Sequence, residues 1–243
     1  MRFIRTNDYA AMSRKAANII ASQVILKPDS VLGLATGSTP IGTYDELVRM
    51  VNAGDLDLSG VHTANLDEYV GLTHDHDQSY HYFMNEHLFS RVGLDLSRTN
   101  VPDGVAADPA AECARYDKLI QDLGGVDLQL LGLGHNGHIG FNEPQDDFPK
   151  GTHLVDLTES TINANSRLFE KKEDVPRQAL TMGIGTIMAA RKILVVVNGA
   201  GKAAIVKEAF CGPVTPQVPA SILQFHPDVT IVGDAEAFSQ LPF

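Results

Sequence analysis

Residues 192–197 read KILVVV and run directly into Asn198, Gly199, Ala200, Gly201 and Lys202. Five consecutive aliphatic residues suit a strand covered on both faces, because a half-exposed antiparallel strand would carry a polar residue at every second position. The glycines behind it mark a turn. On either side, VLGLA (31–35), VHTANL (61–66), VDLQLLGL (126–133) and VTIVG (229–233) are of similar length, and longer stretches of helical spacing separate them. Tyr9, Met12, Ala16, Ile19, Ile20 and Val24 follow that spacing behind a cap at Thr6 or Asn7, and AAECARYDKLIQDLGG (110–125) closes on Gly124 and Gly125. Strands alternating with helices predict an α/β fold: an open, mostly parallel, Rossmann-like sheet with helices on both faces.

A chain of 243 residues, 44% of them apolar, can bury a core without metal or disulfide staples. No fixed-period repeat or Pro/Ser-rich linker divides it, so a single domain over residues 1–243 is expected. The most polar interior stretch, TESTINANSRLFEKKEDVPR (158–177), predicts an excursion over the surface rather than a core element. Cys113 and Cys211 lack CxxC or zinc-type spacing and are expected as free, mostly buried thiols. The net charge of −11 argues against duplex DNA or an anionic membrane as partner. A phosphorylated metabolite stays possible, since a few amides and one or two cations can hold it. With no apolar leader pattern at the N-terminus and no run of roughly 18 apolar residues, a cytoplasmic protein is expected.

Ligands of an open parallel sheet bind beyond the carboxyl ends of its strands, so the residues after each apolar run carry the functional signal. After VLGLA come Thr36, Gly37, Ser38, Thr39 and Pro40 at the head of a helical pattern, a turn whose free amides and hydroxyls suit a phosphate or simply cap their own helix. Lys202 follows the 192–197 strand and is either a phosphate cation or a solvated lysine. The Walker pattern fails there, with Val196 where a glycine belongs and Ala203 where a hydroxyl belongs. GLGHNGHIGFNEP (132–144) contains GxGxxG at Gly132, Gly134 and Gly137, with Asp156 about twenty residues on, but Gly140 and Pro144 would break the helix a dinucleotide site requires. The same glycines allow an irregular loop to present His138 and Glu143, with His135 and Asn136 beside them, as a general acid/base pair or as a structural histidine with its partner. Asp67 and Glu68 follow VHTANL as a proton-abstracting base or an acidic cap. THDHD (73–77) reads as a solvated loop in preference to a metal site, since no distant fourth ligand has clear spacing.

Taken together, LATGSTPIGTY, NLDEYVGL, SYHYFMNEHLF, LGLGHNGHIGFNEP, ANSRLF and VNGAGKA resemble, in the same order, segments of the glucosamine-6-phosphate deaminases. The resemblance covers nearly the whole chain. It implies conversion of D-glucosamine 6-phosphate and water to fructose 6-phosphate and ammonia, with no organic cofactor and no metal. His138, supported by Glu143 and Asn136, would move protons as the pyranose ring opens, and Asp67 would carry the C2 proton to C1 through an enolamine. The phosphate grip would be the Gly37, Ser38 and Thr39 turn with Arg167 and Lys202, and 158–177 would be a mobile lid bearing Arg167.

Two departures stand out. Many hexameric relatives carry Asp where this chain has Asn136, so a second carboxylate beside His138 is absent. The basic residues of the activator site in allosteric relatives give way to His153 and Val155, and the chain is shorter at its C-terminus. Simple saturation kinetics and a monomer or small homo-oligomer are therefore expected. Competing readings are a 6-phosphogluconolactonase, of similar fold, and a non-catalytic sugar-phosphate sensor, for which no DNA-binding segment is left over.

Overall fold

The computed structural model describes residues 1–166, 169 and 171–242, Ala164 through its backbone alone. In chain order its strands are β1 (Arg2–Thr6), β2 (Val31–Leu34), β3 (His62–Asn65), β4 (Asp67–Tyr69), β5 (Thr99–Asn100), β6 (Leu128–Leu131), β7 (His153–Asp156), β8 (Gln178–Thr181), β9 (Lys192–Val197) and β10 (Val229–Asp234). The α-helices are α1 (Tyr9–Leu26), α2 (Ile41–Asn52), α3 (Tyr80–Met84), α4 (Pro109–Asp122), α5 (Glu159–Asn165), α6 (Ile184–Met188) and α7 (Ala203–Cys211).

All five apolar runs become strands of one seven-stranded sheet of order β1-β10-β9-β6-β2-β3-β5, and its pairs are parallel. Ile193 to Val197 of β9 are each no more than 2% exposed. Since successive strand residues point to opposite faces, both faces of the sheet are covered. From β2 the chain moves outward through β3 to β5, and from β6 it moves the other way through β9 to β10. The topological switch point therefore lies between β2 and β6, and a crevice is expected beyond their carboxyl ends.

A second, antiparallel sheet of order β4-β8-β7 was not legible in the sequence. The amide of Leu66 donates to Leu34 of the large sheet, while the carbonyl of Leu66 accepts from Met182 beside the small one. Leu66 is thus the joint between the sheets, and the next residue, Asp67, pairs in register with Thr181.

Three expectations need correction. Helix α1 is capped by Asp8, whose side chain accepts from the Ala11 amide at 2.7 Å, because Thr6 still belongs to β1 and Asn7 precedes the cap. Cys211 is exposed at the end of α7, so only Cys113 is a buried thiol. Residues 158–177 are more than a surface excursion: Thr161, Ile162 and Val175 are buried, and Ile162 and Val175 join Tyr69, Leu72, Phe141, Leu157 and Ala179 in a second apolar cluster. Sparse apolar residues suffice there because the polar ones form the caps and hydrogen bonds of a short helix.

Candidate active site

At the switch point lies a cleft of about 510 Å³, lined by residues 35–40 after β2, Leu66 and Asp67 at the sheet joint, much of the loop after β6, Tyr80, part of α5, and Lys202. Of the residues singled out in the sequence, Gly37, Ser38, Thr39, Asp67, Asn136, His138 and Lys202 line this one cleft. Glu143 stands directly behind His138, and Arg167 lies outside the described residues.

At one end, the 36–40 turn feeds α2, whose first turn has no side-chain cap, so Ser38 and Thr39 do not serve merely to satisfy their own helix. Thr39 instead donates its hydroxyl to Asn198 Oδ1 at 2.9 Å. Lys202 is half-buried, and its Nζ donates to the Leu133 carbonyl at 2.6 Å. Burial brings its ammonium down to about 8. A half-buried cation lining a cleft differs from a solvated surface lysine and has the chemistry to hold an anion there. The charge of Lys202 is also the main cause that lowers the pKa of neighbouring His135, with burial and His138 adding to it.

At the other end, the loop after β6 opens no helix, and Gly134, Gly137 and Gly140 in it serve close packing. A methyl group at Gly134 would sit 2.3 Å from His138 Nε2, so only a hydrogen leaves room for the imidazole there. Asn136 Nδ2 donates to Glu143 Oε2 at 2.5 Å, and Asn136 Oδ1 faces His138 Nδ1 at 2.8 Å. A carboxylate accepts and cannot donate, so the amide turns its NH2 to Glu143 and its oxygen to the imidazole. That oxygen needs a proton on Nδ1, leaving the Nε2 lone pair for the cleft. Glu143 Oε2 itself lies 3.4 Å from Nδ1, so the carboxylate supports the ring both directly and through the asparagine.

The two carboxyl groups are tuned in opposite directions. Asp67 is 6% exposed, and burial first, then the charge of Glu68, pushes it up to about 8. Glu143 is also buried, which alone would raise it, but His138, Thr161 and Asn136 outweigh that and hold it at about 2. Environments that drive two carboxyls apart are a mark of divided acid/base labour. The His138 loop passes beside Asp67: a methyl at Gly140 would come within 3.6 Å of Asp67 Oδ2.

Glu68 takes the capping role. Its carboxylate accepts from the amides of Tyr69, Tyr80 and His81, tying β4 to the start of α3. Tyr80, which lines the cleft, lies 4.7 Å from Tyr69 and stacks on Phe141. Sequence reading missed this aromatic wall and Thr161, which donates to Glu143 Oε1 from α5; a lone Thr or Tyr has no spacing to betray it. His74, Asp75, His76 and Asp77 are exposed, as the solvated-loop reading requires.

A sequence model described as glucosamine-6-phosphate isomerases/6-phosphogluconolactonase matches residues 7–232. The chain belongs to this family. Two relatives named glucosamine-6-phosphate deaminase, from Lachnoclostridium phytofermentans and Clostridium perfringens (strain 13), are 59% and 55% identical to it. The alignments cover 96% and 98% of this chain and 98% of each relative. Among family members of known structure, a monomeric glucosamine-6-phosphate deaminase superposes with a TM-score of 0.96 at 45% identity, over 99% of this chain and all of that one. The 6-phosphogluconolactonase of Trypanosoma brucei, at 19% identity and a TM-score of 0.76 over 99% of this chain and 98% of its own, shares the fold.

Proposed function

We propose that this family member is a glucosamine-6-phosphate deaminase, converting D-glucosamine 6-phosphate and water to D-fructose 6-phosphate and ammonia by isomerisation and loss of the amine. The observation that carries the reading is the cleft in which an up-shifted Asp67 and a His138 backed by a down-shifted carboxylate stand together, with a half-buried lysine at the same opening. Identities of 59% and 55% to proteins named as deaminases support it over a lactonase, whose likeness here is one of fold.

In this scheme the phosphoryl group rests on the 36–40 turn and Lys202, and Arg167 closes on it from a lid over 158–177. His138 Nε2 takes the anomeric hydroxyl proton and delivers it to the ring oxygen, opening the pyranose. Asp67, ionised, removes the C2 proton to form an enolamine and returns it at C1. The resulting ketimine adds water at C2 and releases ammonia. A carboxylate whose partner acid titrates near 8 is a stronger base than an ordinary aspartate, and the dry wall of Tyr80 and Phe141 limits competing protonation. The chain acts in the cytoplasm as a monomer or small homo-oligomer with hyperbolic kinetics.

The test is ammonia release from glucosamine 6-phosphate by the wild type and by Asp67→Asn, with 6-phosphogluconolactone hydrolysis measured beside it. The wild type should release ammonia, and Asp67→Asn should lose roughly 10²–10⁴-fold in kcat while still binding substrate. Lactone turnover without ammonia release would overturn the assignment.

A further inference from the structure

Glu143 has two carboxylate oxygens, and they face different parts of the protein. Oε2 meets Asn136 and His138 in the loop after β6. Oε1 accepts the hydroxyl of Thr161 and, at 3.3 Å, that of Thr158. Both threonines belong to α5: Thr158 is its N-cap, accepting the Thr161 amide at 3.3 Å, and Thr161 lies in its first turn. Thr161 is buried, and its hydroxyl gives its one proton to Glu143. The other end of the helix is tied down too, through Asn165 Nδ2 donating to the Tyr69 hydroxyl at 2.7 Å. Helix α5 supplies Thr161 and Asn165 to the cleft wall, so one short helix both covers the site and grips the carboxylate behind His138.

A carboxylate held on one edge alone can swing about its terminal torsion, which is broad and shallow. Holding both edges fixes it, and a fixed Oε2 fixes the Asn136 amide, which selects the proton position on His138. We propose that Thr161 is a positioning residue: its hydroxyl, delivered when α5 is docked over the cleft, locks Glu143 and through Asn136 keeps the His138 proton on Nδ1. Docking of the cover and readiness of the imidazole are then one event, and an uncovered site is poorly set for proton transfer. The effect on turnover rests on the deaminase reading above, whereas the effect on the imidazole rests on the geometry alone.

The experiment compares wild type, Thr161→Val and Thr161→Ser. Val keeps the branched shape and burial without the hydroxyl; Ser keeps the hydroxyl. Nitrogen-15 NMR of histidine-labelled protein at pH ~9, where an ordinary imidazole is neutral, reads which ring nitrogen carries the proton. His138→Gln identifies the resonances. The wild type and Thr161→Ser should show His138 protonated on Nδ1, and Thr161→Val should show a mixture of the two tautomers. With glucosamine 6-phosphate, Thr161→Val should lose roughly ten- to hundredfold in kcat with KM changed less than about threefold, and Thr161→Ser should recover most of it. A His138 tautomer unchanged in Thr161→Val, or a Ser variant that restores neither readout, overturns the proposal. If the wild type releases no ammonia, the deaminase reading fails while the NMR comparison still decides the role of Thr161.

Discussion

The Thr39 hydroxyl donates to the side-chain oxygen of Asn198 across 2.9 Å, joining the turn after β2 to the turn before Lys202 although 159 residues separate the two in sequence. In the proposed scheme both turns hold the phosphoryl group, and this bond ties one to the other. Thr39→Val should raise KM for the sugar phosphate roughly three- to tenfold, with kcat changed less than about twofold. Steady-state kinetics decide it. A kcat collapse at constant KM would place Thr39 in the chemistry instead of the grip.

Two groups in the cleft are both shifted to about 8, and the proposed mechanism needs them in opposite protonation states. Asp67 works ionised, so kcat/KM should climb as pH rises through about 8. Lys202 grips while charged, so kcat/KM should fall as pH rises through about 8. The profile should be a narrow bell centred near that value. Lys202→Arg, whose charge persists at all accessible pH, should remove the alkaline limb and keep the acid one. An alkaline limb unchanged in that variant would show that another group causes it.

The buried Asp67 carboxyl also weakens the fold at alkaline pH. An unfolded chain ionises aspartate near pH ~3.9, whereas burial and then the charge of Glu68 keep Asp67 protonated up to about 8 in the native state. Between these values the native state holds more protons than the unfolded one, so this group makes stability fall as pH rises. Asp67→Asn should therefore be more stable than wild type at pH ~8, by on the order of a few kcal/mol, with the difference disappearing below pH ~4. Denaturant midpoints of both proteins across that range test the sign. A variant that shows no growing advantage toward alkaline pH contradicts it.

If residues near 158–172 cover bound sugar phosphate, their amides should exchange more slowly when it is present. Hydrogen exchange read by mass spectrometry should show added protection over 159–166, with the strands of the large sheet unchanged. Arg167→Gln should raise KM roughly ten- to hundredfold, as expected for loss of a charge-assisted contact to phosphate. Equal protection with and without ligand would remove the lid from the scheme.

The large sheet was readable because VLGL, LQLL, KILVVV and VTIVG are short, largely apolar runs between helical stretches, and KILVVV matches β9 residue for residue. The strand ends that line the cleft were readable because glycine, hydroxyl and charged residues interrupt those runs abruptly. The small sheet was hidden: DEY and HLVD are too short for periodicity, and β4 begins two residues after β3 ends, so the two read as one segment. Strand alternation alone left open which of Asp67 and Glu68 faces the cleft, and Asp67 was singled out only through the family resemblance. Adjacent strand residues point to opposite sides, and choosing the inward one requires knowing that Tyr80 and His81 present their amides to Glu68. Asn136 looked like a lost carboxylate in the sequence, whereas in the fold its amide bridges Glu143 to His138, a role visible only once the three are placed together.

The cleft draws its lining from positions 35 through 202, with β2 and β6 side by side at the sheet's centre although about a hundred residues intervene. Contacts between such remote segments form slowly from an unfolded chain. Turnover during renaturation should consequently trail recovery of helical circular dichroism and appear only with the last kinetic phase, which makes enzyme activity a stricter gauge of finished assembly than any backbone signal.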